Sequence, residues 1–361
     1  MKKIVTILGA RPQFVKGAVL SRIIQKYKSI EEVIIHTGQH FDENMSAVFF
    51  TEMNIPKPKY NLNINSLGHG AMTGKMLEKI EKILLDEKPD AVVIYGDTNS
   101  TIAGALAAKK LQIKVVHIEA GLRSFNMQMP EEVNRILTDR ISDLLSCPTD
   151  TAIKNLEKEG FNNLPNCIEK HGDIMKDAVE YYSAMAAKKS SIIKDEQLQK
   201  NEFVLVTIHR QENTDDINKL KDIFSALEEI HKEKRVVLPL HPRTKKVLEK
   251  YNLQPKITFI NPVGYFDMLT LLANCAMVIT DSGGLQKEAF FNKKHCIVAR
   301  EETEWIELVE HGFAELAGSN SSKILNAYSK FKKSKISFDK ELYGTNVGEK
   351  IYQSIINLIE Q

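Results

Sequence analysis

Short apolar runs recur along the chain, and each is followed by a polar turn and then by a stretch of helical spacing. In the first half, the runs predict strands at residues 4–8, 32–36, 91–95 and 114–118. Helical spacing is found at residues 13–27, near 44–52, at 71–86 and at 100–111. This alternation of strand, turn and helix is typical of a doubly wound parallel sheet in an α/β protein.

The same alternation restarts in the second half, after a charged connector at residues 188–201. Strands are predicted at residues 203–207, 235–240, 256–260, 277–280 and 296–299, helices at 216–232 and 285–290, and a last helix at 347–359. A chain of 361 residues exceeds the usual size of one hydrophobic core. We therefore predict two domains, residues 1–172 and 173–344, with a C-terminal helix at 345–361 that packs back on the first domain.

One turn in the second half has the features of an anion site. The strand at 277–280 is followed by residues 281–284 (DSGG), and Asp281 or Ser282 is placed to cap the next helix. Such a turn exposes backbone N–H groups beside the positive end of a helix dipole, where a diphosphate is a natural occupant. Glu288, one turn further along, is placed to bind ribose hydroxyls. An ordinary strand-to-helix connection is the alternative, because Gly-Gly turns are common.

Polar side chains also follow the strands of the first half. Arg11 and His40 come after the first two predicted strands, and Asp97 and Glu119 come after the next two. Doubly wound sheets bind ligands at the carboxyl ends of their strands. If only the fold mattered, Ser, Asn or Gly would serve in these turns. We therefore predict a ligand site at this edge of the sheet.

Composition narrows the classes of protein further. The formal net charge is +2, from 49 basic and 47 acidic residues, which does not favour nucleic-acid binding. The first apolar run ends at Arg11 and Pro12, too early for a signal peptide or a membrane span, so we predict a cytoplasmic protein. The four cysteines form no CxxC pair, and Cys275 and Cys296 are expected to be buried thiols.

The usual cofactor motifs are missing from the sequence. Residues 70–75 (GAMTGK) have the wrong spacing for a P-loop, and the turn at Gly9 is not a GxGxxG fingerprint. His117 and Glu119 alternate along a predicted strand, but no third metal ligand accompanies them. Neither a metal site nor a bound cofactor is predicted.

Seven short motifs resemble those of the non-hydrolysing UDP-N-acetylglucosamine 2-epimerase family, in the family's order along nearly the whole chain. They are GARP (9–12), TGQH (37–40), YGDT (95–98), HIEAGLR (117–123), PEEVNR (130–135), TIHRQEN (207–213) and TDSGGLQKEA (280–289). The resemblance implies a glycosyltransferase-B-like fold of two Rossmann-like domains, with the active site in the cleft between them. It also implies C2 epimerisation of a UDP-linked 2-acetamido sugar by a homodimer, without a metal or nicotinamide.

Other stretches resemble the branch of this family that acts on UDP-2,3-diacetamido-2,3-dideoxyglucuronate to make the manno epimer for surface polysaccharides, such as O-antigen or capsule. They are RPQF (11–14), GQHFD (38–42), MTG (72–74), SFNMQMPEE (124–132) and TEW (303–305). Trp305 replaces an Arg of most of the family and offers a flat apolar face; simple packing against a helix is the alternative. Residues 41–46 (FDENMS) depart from the Gln-bearing helix of relatives that their own substrate activates.

The family chemistry breaks the C1–O bond to UDP, passes through a 2-acetamidoglycal and returns a proton to C2. The residues carried over as catalytic are Asp97, Glu119, Glu131 and His209. Those carried over as substrate-binding are Arg11, Lys16, Arg135, Ser282, Gly283, Gly284 and Glu288. The carboxylates carry protons, and Arg11, His209 and the Gly-Gly turn serve the diphosphate. Structural ion pairs are the alternative for Lys16 and Arg135, and a helix-end charge is the alternative for Glu131.

The nearest alternative function is the same reaction on UDP-N-acetylglucosamine, which forms UDP-N-acetylmannosamine. A hydrolysing epimerase, a glycosyltransferase and a non-catalytic sugar-nucleotide sensor share parts of the pattern, since one fold hosts many functions. Three acidic residues in the first domain argue against a transferase, which usually needs one base. A sensor would tolerate their loss.

Overall fold

The strands form two parallel sheets with helices between them, in a computed structural model that describes residues 1–39 and 55–361. The predicted α/β class with two doubly wound sheets is therefore confirmed. Three features of the sequence analysis lie outside the described residues: the helix near 44–52, the strand-end residue His40 and the stretch 41–46.

Two compact units divide the chain. Unit 1 comprises residues 1–178 together with 341–361, and unit 2 comprises residues 179–340. The sequence analysis predicted a boundary after residue 172. In the structure the chain passes from one unit to the other inside the helix Ile174–Lys189. The local sequence pattern shows no break at that point.

Unit 1 contains a seven-stranded sheet of order β3-β2-β1-β4-β5-β6-β7. The strands are β1 (Lys2–Leu8), β2 (Ile30–His36), β3 (Tyr60–Asn61), β4 (Ala91–Tyr95), β5 (Lys114–Ile118), β6 (Leu144–Cys147) and β7 (Cys167–Lys170). Every pair is parallel. The strand order reverses between β1 and β4, so the carboxyl ends of β1, β4 and β5 lie side by side at the point where such sheets bind ligands.

Unit 2 contains a six-stranded parallel sheet of order β10-β9-β8-β11-β12-β13. The strands are β8 (Phe203–Thr207), β9 (Arg235–Pro239), β10 (Thr258–Ile260), β11 (Met277–Thr280), β12 (Cys296–Val298) and β13 (Ala314–Leu316). Its order reverses between β8 and β11. The turns after these two strands, which carry the TIHRQEN and TDSGGLQKEA motifs, are therefore neighbours.

Helices cover the faces of both sheets. They are α1 (Arg11–Tyr27), α2 (His69–Glu87), α3 (Asn99–Lys110), α4 (Pro130–Ile141), α5 (Asp150–Lys158), α6 (Ile174–Lys189), α7 (Ile192–Asp195), α8 (Gln211–Thr214), α9 (Ile217–Glu233), α10 (Pro242–Lys250), α11 (Tyr265–Asn274), α12 (Gly283–Phe291), α13 (Ile306–Glu310), α14 (Ser321–Lys332) and α15 (Val347–Glu360). Because helices lie on both faces, the central strands are mostly apolar, and β4 and β11 are buried at every position.

Four strands, three of them at sheet edges, were missing from the sequence-based prediction. β6, β7 and β13 were not predicted, nor was the two-residue β3. β7 (CIEK) is half exposed and mixes polar with apolar residues, so its local pattern resembles a loop. Pairing with β6 defines it as a strand, which is a long-range contact that local patterns do not encode.

The C-terminal helix α15 belongs to unit 1 and packs on α1. The rings of Tyr27 and Tyr352 stack at a centroid distance of 5.0 Å, and Lys26 Nζ lies 2.8 Å from Glu349 Oε1. Gly348 sits close to α1: a Cβ there would lie 2.6 Å from Ile23 Cδ1. The last helix thus extends the helical layer that α1 begins.

Two further expectations can be compared with the structure. Cys275 and Cys296 are buried as predicted, and burial raises the pKa of Cys275 to about 12, so this thiol stays protonated. Throughout residues 1–39 and 55–361, each helix is too short or too polar to traverse a bilayer.

Glu87, at the end of α2, should make the fold sensitive to acid. Its carboxylate accepts hydrogen bonds from Lys59 Nζ at 2.5 Å, from Tyr60 OH at 2.6 Å and from Lys3 Nζ at 3.0 Å. The hydrogen bond from Lys59, followed by that from Tyr60, lowers the pKa of Glu87 from 4.5 to about 2. A depressed carboxyl pKa stabilises the fold above the unfolded-state value, and this stability disappears as the pH falls through the folded-state value.

We therefore expect Glu87→Gln to lower the thermal unfolding midpoint at pH 7 and to flatten the loss of stability between pH 4.5 and about 2. Calorimetry of both proteins across this range measures the effect. Parallel pH profiles for the two proteins would show that Glu87 does not couple protonation to folding.

Candidate functional site

The turn after β1 is fixed by Gln13, a residue that the sequence analysis quoted in a motif but did not assign. Its carboxamide oxygen accepts hydrogen bonds from the backbone of Gly9 and Ala10 at 2.8 and 3.0 Å. Its carboxamide nitrogen donates to the carbonyl of Tyr95 at 2.7 Å and to Thr98 Oγ1 at 3.0 Å. One buried side chain therefore ties the turn after β1 to the turn after β4.

Asp97 follows β4 and pairs with Arg135 of α4. A guanidinium N–H of Arg135 contacts Asp97 Oδ2, while NH1 donates to Glu132 Oε2 at 2.7 Å. Glu132 is fully buried and also accepts the backbone N–H groups of Ser124 and Phe125, at 3.0 and 2.9 Å. Glu132, one turn before Arg135 on the same helix, thus orients the Arg135 side chain that contacts Asp97.

Glu119 lies one residue past the end of β5, and its backbone is left-handed, with φ of 76°. Such a backbone is uncommon for a residue other than glycine and is often found at functional sites. The carboxylate forms an ion pair with Lys16 of α1, and both side chains are about nine-tenths buried. Gly96 adjoins this pair, since a Cβ added there would lie 3.3 Å from Glu119 Oε2.

The remaining two predicted residues of unit 1 stand at helix starts. Arg11 is the first residue of α1, and Glu131 lies in the first turn of α4. Both are partly exposed at the edge of their unit. The structure therefore brings Asp97, Glu119, Lys16 and Arg135 together in two carboxylate–cation pairs around neighbouring strand ends. Arg11 and Glu131 lie at the starts of the helices that supply Lys16 and Arg135.

In unit 2, the predicted turn connects β11 to α12. Ser282 is the N-cap residue, but its side chain makes no capping hydrogen bond within the described chain, so the prediction of a side-chain cap is wrong. The Asp281 carboxylate is directed elsewhere, because it accepts the backbone N–H groups of His209 and Arg210, each at 2.9 Å. The first amides of α12 therefore lack a side-chain cap, which suits them to an anion.

Space is open around the two glycines of this turn. A Cβ added to Gly284 would meet nothing within 4 Å, and a Cβ on Gly283 would meet its nearest neighbour, Glu304 Oε2, at 3.7 Å. Neither glycine has a left-handed backbone. Folding therefore does not require glycine here, and the absence of side chains leaves the backbone approachable by a ligand.

Asp281 also fixes the position of His209. The carboxylate is fully buried, and its Oδ1 lies 3.3 Å from His209 Nδ1. Burial lowers the pKa of His209 below 6.5, with smaller contributions from Arg210 and Arg243, although Asp281 opposes the change. A diphosphate beside the ring would favour the imidazolium. The ring also lies 5.2 Å from that of His241.

Trp305 packs against α12, which supports the plainer of the two interpretations of this residue. It is 4% exposed, and Lys287 Nζ lies 3.8 Å from its ring centroid. Its indole nitrogen would lie 3.8 Å from a Cβ on Gly283. Trp305 therefore forms part of the wall behind the Gly-Gly turn. Glu288, on the same helix, is mostly buried, with 8% exposure.

A cavity of about 570 Å³ in unit 2 lies away from these residues. Its lining comes from α6, α11 and the connector between α6 and β8, including Ser190, Lys194, Leu269 and Thr270. None of the predicted site residues borders it. The chemistry of the side chains, and not this cavity, therefore locates the candidate site.

Comparison with known proteins decides the family. Residues 22–356 match the family model described as UDP-N-acetylglucosamine 2-epimerase. The chain belongs to this family. The resemblance inferred from the seven motifs is thus confirmed, and the protein is an isomerase acting on UDP-sugars, as its relatives are.

Individual epimerases match over nearly their full length. The chain is 50% identical to the UDP-2,3-diacetamido-2,3-dideoxy-D-glucuronate 2-epimerase of Pseudomonas aeruginosa, over 95% of this chain and 96% of that protein. It is 49% identical to a UDP-N-acetylglucosamine 2-epimerase homolog of Methanococcus maripaludis, over 99% and 100%. A crystal structure of the Methanocaldococcus jannaschii UDP-GlcNAc 2-epimerase in complex with UDP-GlcNAc and UDP superposes with a TM-score of 0.91 at 43% identity, covering 98% and 99%.

Proposed function

We propose that this 2-epimerase interconverts UDP-2,3-diacetamido-2,3-dideoxy-D-glucuronate and its D-mannuronate epimer. The observation that carries the proposal is the 50% identity to the P. aeruginosa enzyme with that activity, over 95% of the chain. The stretches that resemble this branch include residues 124–132, whose backbone Glu132 organises. Glu132 also contacts Arg135, the partner of the proposed catalytic residue Asp97, so this stretch adjoins the proposed site.

The reaction needs proton carriers because C2 of a pyranose is not acidic. Loss of the C2 proton is coupled to departure of UDP: the C2–H electron pair forms the C1–C2 double bond, and the C1–O pair leaves with the diphosphate. The 2-acetamidoglycal then takes a proton on the opposite face of C2, and UDP adds back at C1. Each step requires a carboxylate at the sugar and positive groups at the diphosphate.

We assign proton transfer to the carboxylates of unit 1. Asp97 and Glu119 each lie at the end of a central strand beside a buried cation, and Glu131 lies at the start of α4. Arg135 and Lys16 keep Asp97 and Glu119 oriented. The same cations can offset the negative charge of a carboxylate before it accepts a proton. Arg11, at the start of α1, is assigned to the substrate.

We assign the diphosphate to unit 2. The uncapped start of α12, with Ser282, Gly283 and Gly284, offers backbone donors beside the positive end of a helix dipole. His209 is fixed beside this turn by Asp281, so it can donate a hydrogen bond to the leaving oxygen. Glu288 is assigned to the ribose. The first amides of α12 and the His209 ring would act where negative charge develops as the C1–O bond breaks.

The alternative substrate is UDP-N-acetylglucosamine, which would form UDP-N-acetylmannosamine. It is supported by the 49% identity to the M. maripaludis homolog of UDP-N-acetylglucosamine 2-epimerase, nearly equal to the identity that supports the glucuronate. The two substrates differ by a 3-acetamido group and by a carboxylate at C6. They share the reacting atoms, so the proposed catalytic residues serve either sugar.

A direct comparison of the two sugars tests the proposal. We expect a higher kcat/KM for UDP-2,3-diacetamido-2,3-dideoxy-D-glucuronate than for UDP-N-acetylglucosamine, measured as initial rates of epimer formation under identical conditions. The Asp97→Asn protein serves as the control for contaminating activity. A higher kcat/KM for UDP-N-acetylglucosamine would favour the alternative, and free UDP released in step with turnover would indicate a hydrolysing enzyme.

We further propose that the enzyme is a cytoplasmic homodimer that supplies a surface polysaccharide such as O-antigen or capsule. The support is the resemblance to the family, whose members are commonly dimers. Light scattering of the purified protein tests the assembly, because the mass of a single chain would contradict it.

A further inference from the structure

His117 belongs to the HIEAGLR motif, yet none of the proposed roles uses it. The side chain lies on β5 and is fully buried. The sequence analysis considered it as a metal ligand without partners. In the structure both ring nitrogens are engaged: Nε2 lies 2.7 Å from the carbonyl oxygen of Gly96, and Nδ1 lies 2.7 Å from Asp139 Oδ1.

These two contacts determine the protonation of the ring. A backbone carbonyl can only accept a hydrogen bond, so Nε2 carries a proton. Asp139 is a carboxylate whose other oxygen accepts hydrogen bonds from Arg123 NH1 at 2.7 Å and from the Gly121 N–H at 3.1 Å. An ionised carboxylate also only accepts, so Nδ1 carries a proton as well. Two acceptors and no donor thus face the ring nitrogens, which is the environment that an imidazolium satisfies.

The surrounding charges support an ionised Asp139. Burial alone would raise the pKa of its carboxyl, but the hydrogen bonds and charges of His117 and Arg123 bring it below the ordinary value. Arg123 in turn pairs with Glu159 at 2.7 Å. Two cations and two carboxylates therefore compensate one another, three of them buried and Glu159 partly exposed. Burial raises the pKa of the adjoining Cys147 thiol, which stays neutral.

The carbonyl that His117 contacts belongs to the turn between the two proposed carboxylates. Gly96 has a left-handed backbone, with φ of 62°, and immediately precedes Asp97. Its N–H donates to the Ile118 carbonyl at 3.0 Å, immediately before Glu119. A Cβ at Gly96 would also lie 3.3 Å from Glu119 Oε2. The position of Gly96 thus sets where both Asp97 and Glu119 leave the sheet.

We propose that His117 is a doubly protonated positioning residue, which fixes the Gly96 carbonyl and thereby the relative placement of Asp97 and Glu119. The proposal rests on the proposed catalytic roles of these two carboxylates. His117 itself does not contact substrate. Because an imidazolium donates from both nitrogens, it links the Gly96 turn rigidly to Asp139 of α4, the helix that also supplies Arg135.

The protonation state is tested first, without any measurement of activity. In protein labelled with ¹⁵N-histidine, we expect two ring N–H groups for His117 near neutral pH, assigned by their disappearance in His117→Gln. Burial and hydrogen bonding should slow the exchange of both protons with water. A single protonated ring nitrogen in the wild-type protein would overturn the imidazolium assignment.

Kinetics of paired variants test the positioning role. His117→Asn lacks a group that reaches Gly96, and we expect kcat to fall about 10²-fold, the cost of a misplacement of roughly 1 Å. We expect KM and UDP affinity to change little, because the diphosphate is assigned to unit 2. His117→Gln, whose amide can still donate toward the Gly96 carbonyl, should recover part of the loss.

His171→Gln provides the matched control. His171 is also buried in unit 1 and hydrogen-bonded, but its side-chain partners are Ser146, Glu169 and Ser354, none of which has a proposed catalytic role. It should retain the wild-type kcat. If His117→Asn folds and retains kcat while Asp97→Asn and Glu119→Gln lose it, the positioning role is wrong and the proposed function stands. If all three variants retain kcat, the proton-transfer roles proposed for Asp97 and Glu119 fail as well.

Discussion

Asp97→Asn and Glu119→Gln are each expected to lower kcat by about 10²–10⁴-fold, the usual contribution of a positioned general acid or base. Glu131→Gln should act in the same direction. Each substitution preserves the shape of the side chain but removes its ability to carry a proton. Affinity for UDP, measured by calorimetry, should remain near the wild-type value because its proposed donors lie in unit 2. Steady-state rates of epimer formation measure the loss.

A control is needed because Glu119→Gln leaves the buried Lys16 ammonium without its carboxylate partner. Removing one partner of a buried ion pair typically costs about 3–5 kcal/mol of stability. Glu87→Gln is the matched substitution: Glu87 is also a buried carboxylate of unit 1 that pairs with lysines. It should reduce stability and retain kcat. Normal turnover in Glu119→Gln would remove Glu119 from the mechanism.

Gly284→Ala is expected to separate ligand binding from folding. The backbone is helical and a Cβ there meets nothing within 4 Å, so the substitution should stabilise the fold by roughly 0.4–1 kcal/mol. The same methyl group would obstruct a diphosphate approaching the first amides of α12. Loss of one hydrogen bond to a charged group costs about 1.5–3 kcal/mol, so UDP affinity should fall about 10–100-fold.

Gly74→Ala provides the control for this prediction. Gly74 lies in α2, and a Cβ there also meets nothing within 4 Å. We expect a similar rise in the thermal midpoint without a change in UDP affinity. If Gly284→Ala binds UDP as tightly as Gly74→Ala does, the diphosphate does not lie against this turn.

The local hydrophobic pattern predicted the central strands because strands buried on both faces are runs of consecutive apolar residues. β4 and β11 are continuous apolar runs buried on both faces, and the polar turns after them follow from the strand ends. The edge strands β7 and β13 were missed, because their pairing partners define them and their composition does not. Length and hydropathy likewise gave two domains but not a boundary that falls within α6.

The candidate site shows the same division. Asp97 and Glu119 were predicted as site residues because folding alone does not require a charged residue at the end of a central strand. Glu132 and Asp281 were not assigned, although each arranges several backbone donors around a site residue. The role of Asp281 depends on contacts with the turn after β8, which is distant in sequence, and that of Glu132 depends on the fold of the loop before α4. The one signal in the sequence was position: Glu132 directly follows Glu131, and Asp281 directly precedes Ser282.

The capping of α12 illustrates how a correct local rule led to a wrong detail. Asp and Ser are preferred N-cap residues, so a side-chain cap was the natural expectation. In the structure Asp281 accepts hydrogen bonds from the turn after β8. This arrangement costs the helix a cap but leaves its first amides available, and such conflicts between local preference and structure are typical of functional sites.

The most direct test of the account is the fate of the C2 hydrogen. We expect the enzyme, incubated in D2O with a UDP-2-acetamido sugar that it turns over, to give a C2 epimer carrying one deuterium at C2, detected by the loss of the H2 resonance and a rise in mass. Solvent exchange follows because the proton leaves and returns through carboxylates. An epimer that keeps its original hydrogen at C2 would contradict the elimination and re-addition mechanism and the roles given to Asp97 and Glu119.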